Sequence, residues 1–454
     1  MLSIDQTVFS KQTIGPLEFF LTLFYALFFI FLIHKIKIFE LQELSKSAIS
    51  YFFLLKIGCG VLLWIIYTYY YTDRNKSDIF KFYDDAKYIY QALPEHPLHY
   101  LQMALGINTD ADDLKPYYSQ MHNWYRPWEG AKFHDNKLII QFNALVYLFS
   151  FGYYNVHTVF MCFLSLIGLT GIYKTFSPLV PGKRKELAVA VFLVPSVLFW
   201  ASGVLKEGII IFALGMLIYN MNKCLYGNVN KLRCCLFFLL SALLLFLAKM
   251  YVFVAIAPVI VSLVIVRFTS SKFVFLKFIS VHLLFFLIAV NLYRLNTEWD
   301  IMLFLHQKQM GFIQTAISEK AGSYININYL KPNVMSLIKN APQAIFNSMF
   351  RPHLFESRSI FIMISALENM FLFILLIITV LFFKKPDKEV LPWLYACVFF
   401  AVMLSLLIGL VTPVLGSIAR YRVPIIPFFT TSLIVLLDKN KFKKRLFFFI
   451  KKNN

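Results

Sequence analysis

Apolar runs of about 17–24 residues recur along the chain, separated by short basic connectors and by two long polar stretches. A helix of that length crosses a hydrocarbon core, where every backbone polar group must be satisfied within the segment. The pattern predicts about eleven spans, near residues 16–33, 49–71, 156–173, 187–200, 208–220, 273–292, 360–383, 391–410 and 424–437. The run 234–266 is too long for one helix and is expected to split near Lys249-Met250-Tyr251 into two of the eleven. Residues 138–151 are apolar but short. A crossing there would place Lys174, Lys183, Arg184 and Lys185 outside, so an interfacial or re-entrant helix is expected instead.

Charge then orients the spans. Basic clusters fall at Lys35, Lys37 and Lys46, at 183–185, at Lys223, Lys231 and Arg233, at Arg267, Lys272 and Lys277, and at Lys384, Lys385 and Lys388. A further run fills the tail, 438–454. All lie inside if the N-terminus is outside and the C-terminus inside. The expected fold is therefore an all-α polytopic membrane protein. It is one integral-membrane domain with two extracytoplasmic loops, 72–155 and 293–358. The basic tail is expected at the inner face, against anionic lipid.

Composition narrows the class further. The chain of 454 residues is 59% hydrophobic and only 15% charged, which excludes an ordinary soluble domain. A net charge of +20 would suggest nucleic acid in a soluble chain, but here it follows the connectors, so nucleic acid is not expected as a partner. The six cysteines sit in or beside spans, without metal-binding spacing, and read as packing residues. The first apolar run lacks a cleavage-site pattern and is expected to serve as an anchor.

The polar stretch 72–136 carries about ten of the 24 acidic residues and is the expected centre of any chemistry. Asp84-Asp85 lies there, and a carboxylate near the membrane can act as general base on a hydroxyl. Neighbours on a helix diverge by about 100°, so one is expected to face the site and the other elsewhere. The alternative is a solvated helix start. Asp110, Asp112 and Asp113 resemble a metal-binding DxD, but solvation is the simpler reading, and no metal is expected. His96, His99, His122 and His134 fit no zinc spacing.

Two groups lie outside that loop. Ser202-Gly203-Val204-Leu205-Lys206-Glu207 places an ionisable pair at the membrane boundary, with Lys206 suited to a phosphate and Glu207 to a substrate hydroxyl. The plain alternative is a snorkelling lysine. Arg420-Tyr421-Arg422-Val423-Pro424 puts two arginines outside, against the inside rule. An anion would explain them, since arginine forks match phosphate oxygens. Arg351-Pro352 with Glu356, and Glu368-Asn369 within a span, form a further group.

Together these features resemble the GT-C superfamily of integral-membrane glycosyltransferases, which includes protein O-mannosyltransferases and lipid A aminoarabinose transferases. The SGxxKE and RYRxPxxP segments look like those of Bacteroidota-like members. The resemblance implies that Asp84 or Asp85 is the catalytic base, and that Arg420, Tyr421 and Arg422, with Lys206, hold the phosphate of a polyprenyl-phosphate sugar. Substrate contacts would come from Glu207, Trp124, Tyr125, Arg126, Trp128, Arg351 and Glu356.

The second loop is longer than in the smallest members, and spacing alone leaves the choice of aspartate open. The implied activity is inverting, metal-independent and without cofactor. It would act on a lipid-linked donor and a glycan or lipid acceptor at the outer face of a bacterial cytoplasmic membrane, in polysaccharide or lipopolysaccharide assembly. The rivals are a polysaccharide polymerase and a lipid-linked sugar flippase.

Overall fold

The computed structural model describes residues 14–125, 135–227, 229–270, 272–357 and 359–445. Among these residues the regular structure is helical, and β pairing is limited to isolated bridges. Nine of the described helices are long and apolar enough to cross a membrane, and a bent helix pair would make a tenth. Their outward faces keep large apolar side chains exposed: Leu17, Phe20, Phe24, Leu27 and Phe31 on the first helix, and Phe371, Ile374 and Leu381 on a later one. Such faces are stable against lipid and not against water.

The chain gathers into two compact units. The first holds residues 1–170, 198–215 and 243–248. Its opening helices are α1 (Pro16–Lys35) and α2 (Lys46–Tyr69), which pack together. Pro16 starts α1 where a missing N–H costs nothing, and Ser45 caps α2 by accepting from the Ala48 amide at 3.1 Å. Phe29 of α1 stacks on Phe163, ring centroids 4.2 Å apart. The Glu18 carboxylate accepts from the Asn155 backbone N–H and side-chain amide, at 3.0 and 2.8 Å.

The polar loop is largely helical: α3 (Asp78–Gln91), α4 (Pro97–Leu105) and the short α5 (Lys115–Tyr118). Then comes α6 (Asn136–Ser150), which packs on α3 and α4 through Ile139, Ile140, Ala144 and Tyr147. At fifteen residues it rises about 22 Å and is not among the nine span-length helices. Next is α7 (Tyr154–Phe176).

The expected span at 187–200 takes another form. It is two short helices, α8 (Arg184–Phe192) and α9 (Pro195–Trp200), of nine and six residues. Pro195 has no N–H to continue the ladder, and its ring disfavours helical backbone at the residue before it. A hydropathy reading counts the apolar residues and passes over that break. Beyond it, α10 (Lys206–Tyr226) meets α7 at a close backbone contact within the first unit. A Cβ on Gly215 would lie 2.0 Å from the Gly168 carbonyl oxygen.

The expected split at Lys249 holds. The helices are α11 (Lys231–Ala248) and α12 (Met250–Phe268), with Lys249 extended between them. The second unit comprises 171–197, 216–242 and 249–454. It includes α13 (Val274–Asn291), α14 (Ile301–Ser318), α15 (Val334–Phe350), α16 (Ile360–Leu381) and α17 (Leu391–Val411). Helices α12, α13, α14 and α15 all pack against α17. The α15 contact is the tightest in kind: a Cβ on Gly409 would lie 1.9 Å from the Ala344 carbonyl oxygen.

The last expected span, 424–437, is the eleven-residue helix α19 (Ile426–Leu436), which meets the preceding α18 (Leu415–Tyr421) at 68° across Pro424. The far end of α19 is latched to the α8 connector. Lys183 Nζ donates to the carbonyls of Ile434 (2.7 Å) and Leu437 (2.5 Å), and Lys439 pairs with Glu186. These contacts satisfy carbonyls that a helix end leaves open.

Candidate functional site

In the first unit, the α3 helix turns its two aspartates apart. Asp84 is half-buried and accepts a two-point bond from Arg74, with Nε and Nη2 at 2.8 and 2.6 Å. Arg74 sits in the turn before α3, its guanidinium 4.2 Å from the centre of the Phe80 ring. Asp85 points into the protein. It is 2% exposed and accepts the backbone N–H groups of His122 (3.1 Å) and Asn123 (2.7 Å). Burial pushes the Asp85 carboxyl above the usual aspartate range, and the two amides pull it only part of the way back.

The roles therefore separate. Asp85 ties the 121–123 turn to α3. Asp84 is the accessible carboxylate. Its bonds to Arg74 use one lone pair on each oxygen and leave acceptor capacity on both.

Lys206 is 4% exposed. Its Nζ pairs with Asp135 at 2.8 Å, donates to Asn136 Oδ1 and lies 5.2 Å from the centre of the Phe82 ring. A phosphate on Lys206 would have to displace Asp135. In this structure the lysine joins the α10 start to the α6 start. Glu207 is buried beside it in sequence, at 2% exposure.

Trp124 is fully buried, stacked on Tyr118 at 4.5 Å with Lys137 Nζ 5.1 Å from its ring centre. It presents no open face to a sugar, whereas Tyr125 is exposed. Arg126, Trp128 and His134 lie outside the described residues. Asp112 pairs with Lys115 and Asp113 contacts His99, so the two acids turn to different side chains.

The second unit joins two groups that are far apart in sequence. Arg422 is 1% exposed; its Nη2 meets Glu368 Oε1 at 3.4 Å and its Nη1 donates to the Arg351 carbonyl at 3.3 Å. Glu368 also accepts the Ser196 backbone N–H at 2.6 Å. Arg351 in turn binds Glu356 through Nε (2.8 Å) and Nη2, and Asn347 at 3.3 Å. Asn369 donates to the Pro352 carbonyl at 3.0 Å. Burial pushes the Glu356 carboxyl up, but Arg351 and the His353 amide outweigh it and hold it below the usual glutamate range.

This network carries buried polar atoms without a protein partner: Arg422 Nε, Asn369 Oδ1, Asn347 Nδ2, Ser348 Oγ and Ser196 Oγ. Buried polar atoms in native proteins are ordinarily hydrogen-bonded, so the network has spare capacity for water or ligand oxygens. Arg420 and Tyr421 are half-exposed beside it in sequence.

Comparison with known proteins finds no match among family models, curated proteins or solved structures. The site is therefore read from its own chemistry.

Three features escaped the sequence reading. Lys56, within span α2, is fully buried and donates to the Ala201 carbonyl (3.1 Å) and Ser202 Oγ (3.0 Å). A single lysine in an otherwise apolar run was the available signal. His157 is buried between Asn143 (2.8 Å) and Ser150 (2.7 Å), a chain that joins α6 to α7. All three residues are closed to solvent, so the Ser-His-Asn arrangement is architectural. Lys249, at the α11–α12 break, has its Nζ 5.6 Å from the centre of the Tyr421 ring, which adds a cation to the arginine segment.

Proposed function

We propose that the protein is a membrane glycosyltransferase, inverting and metal-independent, using a polyprenyl-phosphate sugar at the extracytoplasmic face of the membrane. The observation that carries the reading is Asp84, a half-exposed carboxylate held by Arg74 at the start of the polar loop. The acceptor hydroxyl attacks the anomeric carbon of the donor sugar and its proton passes to Asp84. The bond from that carbon to the phosphate oxygen breaks, and the polyprenyl phosphate leaves with the negative charge. A departing phosphate needs positive charge beside it, the role that the resemblance gives to Arg420. Arg422, already committed to Glu368, is better placed to brace the segment than to present a free fork.

Transfer of radiolabelled sugar from a panel of polyprenyl-phosphate donors, in proteoliposomes, tests the reading. Wild type is expected to transfer with chelator present. Asp84→Asn is expected to lose activity by about 100-fold or more, the scale of a lost general base. Arg420→Ala is expected to weaken donor use. Full activity in Asp84→Asn would overturn the assignment.

A polysaccharide polymerase is the second reading, favoured by the spare polar capacity around Arg351, Asn347 and Arg422. In that case lipid-linked repeats lengthen, and Arg351→Ala stops the lengthening while Asp84→Asn does not.

A further inference from the structure

The end of α10 and the start of α11 bring three cysteines together, all within the second unit. Cys224 Sγ lies 3.6 Å from Cys235 Sγ, and the Cys234 side chain also reaches Cys224. Cys235 is exposed and Cys224 half-buried. That differs from Cys162 and Cys397, which are buried and serve as packing. Lys223, Lys231 and Arg233 flank the cluster in sequence. Arg267 of α12 ties this corner to α12, its Nε donating to the Leu225 carbonyl at 2.9 Å. Among the described residues no group has the arrangement of a metal site.

We infer that Cys224 and Cys235 form a redox-active dithiol, oxidised by a peroxide to an internal disulfide that clamps α10 to α11. A disulfide is about 2.05 Å long, so side-chain rotation has roughly 1.5 Å to close. The Cys235 thiolate attacks the peroxide O–O bond. Its sulfur becomes a sulfenic acid, and the leaving oxygen departs as hydroxide and is protonated to water. The Cys224 sulfur then attacks the Cys235 sulfur, giving up its proton to the departing hydroxide, so that the S–S bond forms and a second water leaves. Two thiols and one peroxide give one disulfide and two waters, and a dithiol reductant reverses the change.

The test uses the full-length protein in detergent. It is treated with hydrogen peroxide, blocked with N-ethylmaleimide and digested with trypsin for non-reducing mass spectrometry. Cleavage after Lys223, Lys231, Arg233 and Lys249 leaves the cysteines on peptides 224–231 and 234–249. The expected product joins these two peptides and is released by dithiothreitol. The link is expected to persist in Cys234→Ser and to vanish in Cys235→Ser. In Cys224→Ser, dimedone is expected to trap a sulfenic acid at Cys235, a second readout if either other variant fails to fold. The inference is overturned if Cys224 and Cys235 stay open to maleimide at peroxide levels that oxidise a free-thiol control. It is overturned equally if the link survives Cys235→Ser.

Discussion

At the scale of single residues, the aspartate pair shows how one helix gives two identical side chains unlike roles. Asp84 keeps contact with solvent and with Arg74, while Asp85 spends its oxygens on two backbone amides. Asp85→Asn is therefore expected to act on stability. Its amide nitrogen cannot accept the second N–H, a loss of about 1–3 kcal/mol, seen as a lower melting temperature. The pH dependence has a definite sign. Burial raises the folded-state pKa of Asp85 above its unfolded value, so folding takes up a proton between the two. Stability from this group is greatest below the unfolded pKa and is lost as pH rises through the folded one. The gap in melting temperature between wild type and Asp85→Asn should thus narrow from about pH 4 towards neutrality. A gap that widens would show that the amides bind the carboxylate more tightly than burial opposes it.

Lys56 makes a second residue-scale case. Lys56→Ala is expected to cost about 2 kcal/mol or more, through charged hydrogen bonds lost to Ala201 and Ser202, and to lower the melting temperature accordingly. Its presence in an apolar run was visible in the sequence. Its partners, 145 and 146 residues away, were not. The same holds for Arg422: an arginine beside an apolar run could be read directly, but Glu368, 54 residues off, could be joined to it only by folding.

Among the helices, local composition decides some features and packing decides others. The break at Lys249 was legible because a charge interrupts an overlong apolar run. The break before Pro195 was missed because hydropathy averages over a residue whose effect is stereochemical. The α7–α10 contact could not be read at all, since a glycine in a span does not name the glycine it faces. That contact yields a prediction: Gly215→Leu sets side-chain atoms against the Gly168 backbone, which has no rotamer with which to give way. A cost beyond the usual 1–3 kcal/mol of overpacking is expected, read as loss of the monodisperse peak in size-exclusion chromatography. Gly58, which has open space beside it, is the control: Gly58→Ala should elute as wild type.

At the level of the whole molecule, the helical membrane class was the most legible property, because it depends on composition and run length alone. The grouping into two units was not, since each gathers segments from distant parts of the chain. Orientation can be tested directly. In a cysteine-free background, Asp112→Cys is expected to react with an impermeant maleimide on intact cells, and Asn440→Cys only after permeabilisation. The reverse pattern would invert the assigned topology.

The latch at the end of α19 bears on how the protein is made. Lys183 waits for carbonyls that emerge 251 or more residues later. At about 5–20 residues per second, a ribosome needs roughly 10–50 s to supply them. Throughout that interval the connector before α8 has its cation without its final acceptors. The second unit therefore cannot close in the order in which it is synthesised. A nascent chain stalled before Ile434 would present an unfinished surface to chaperones and membrane proteases.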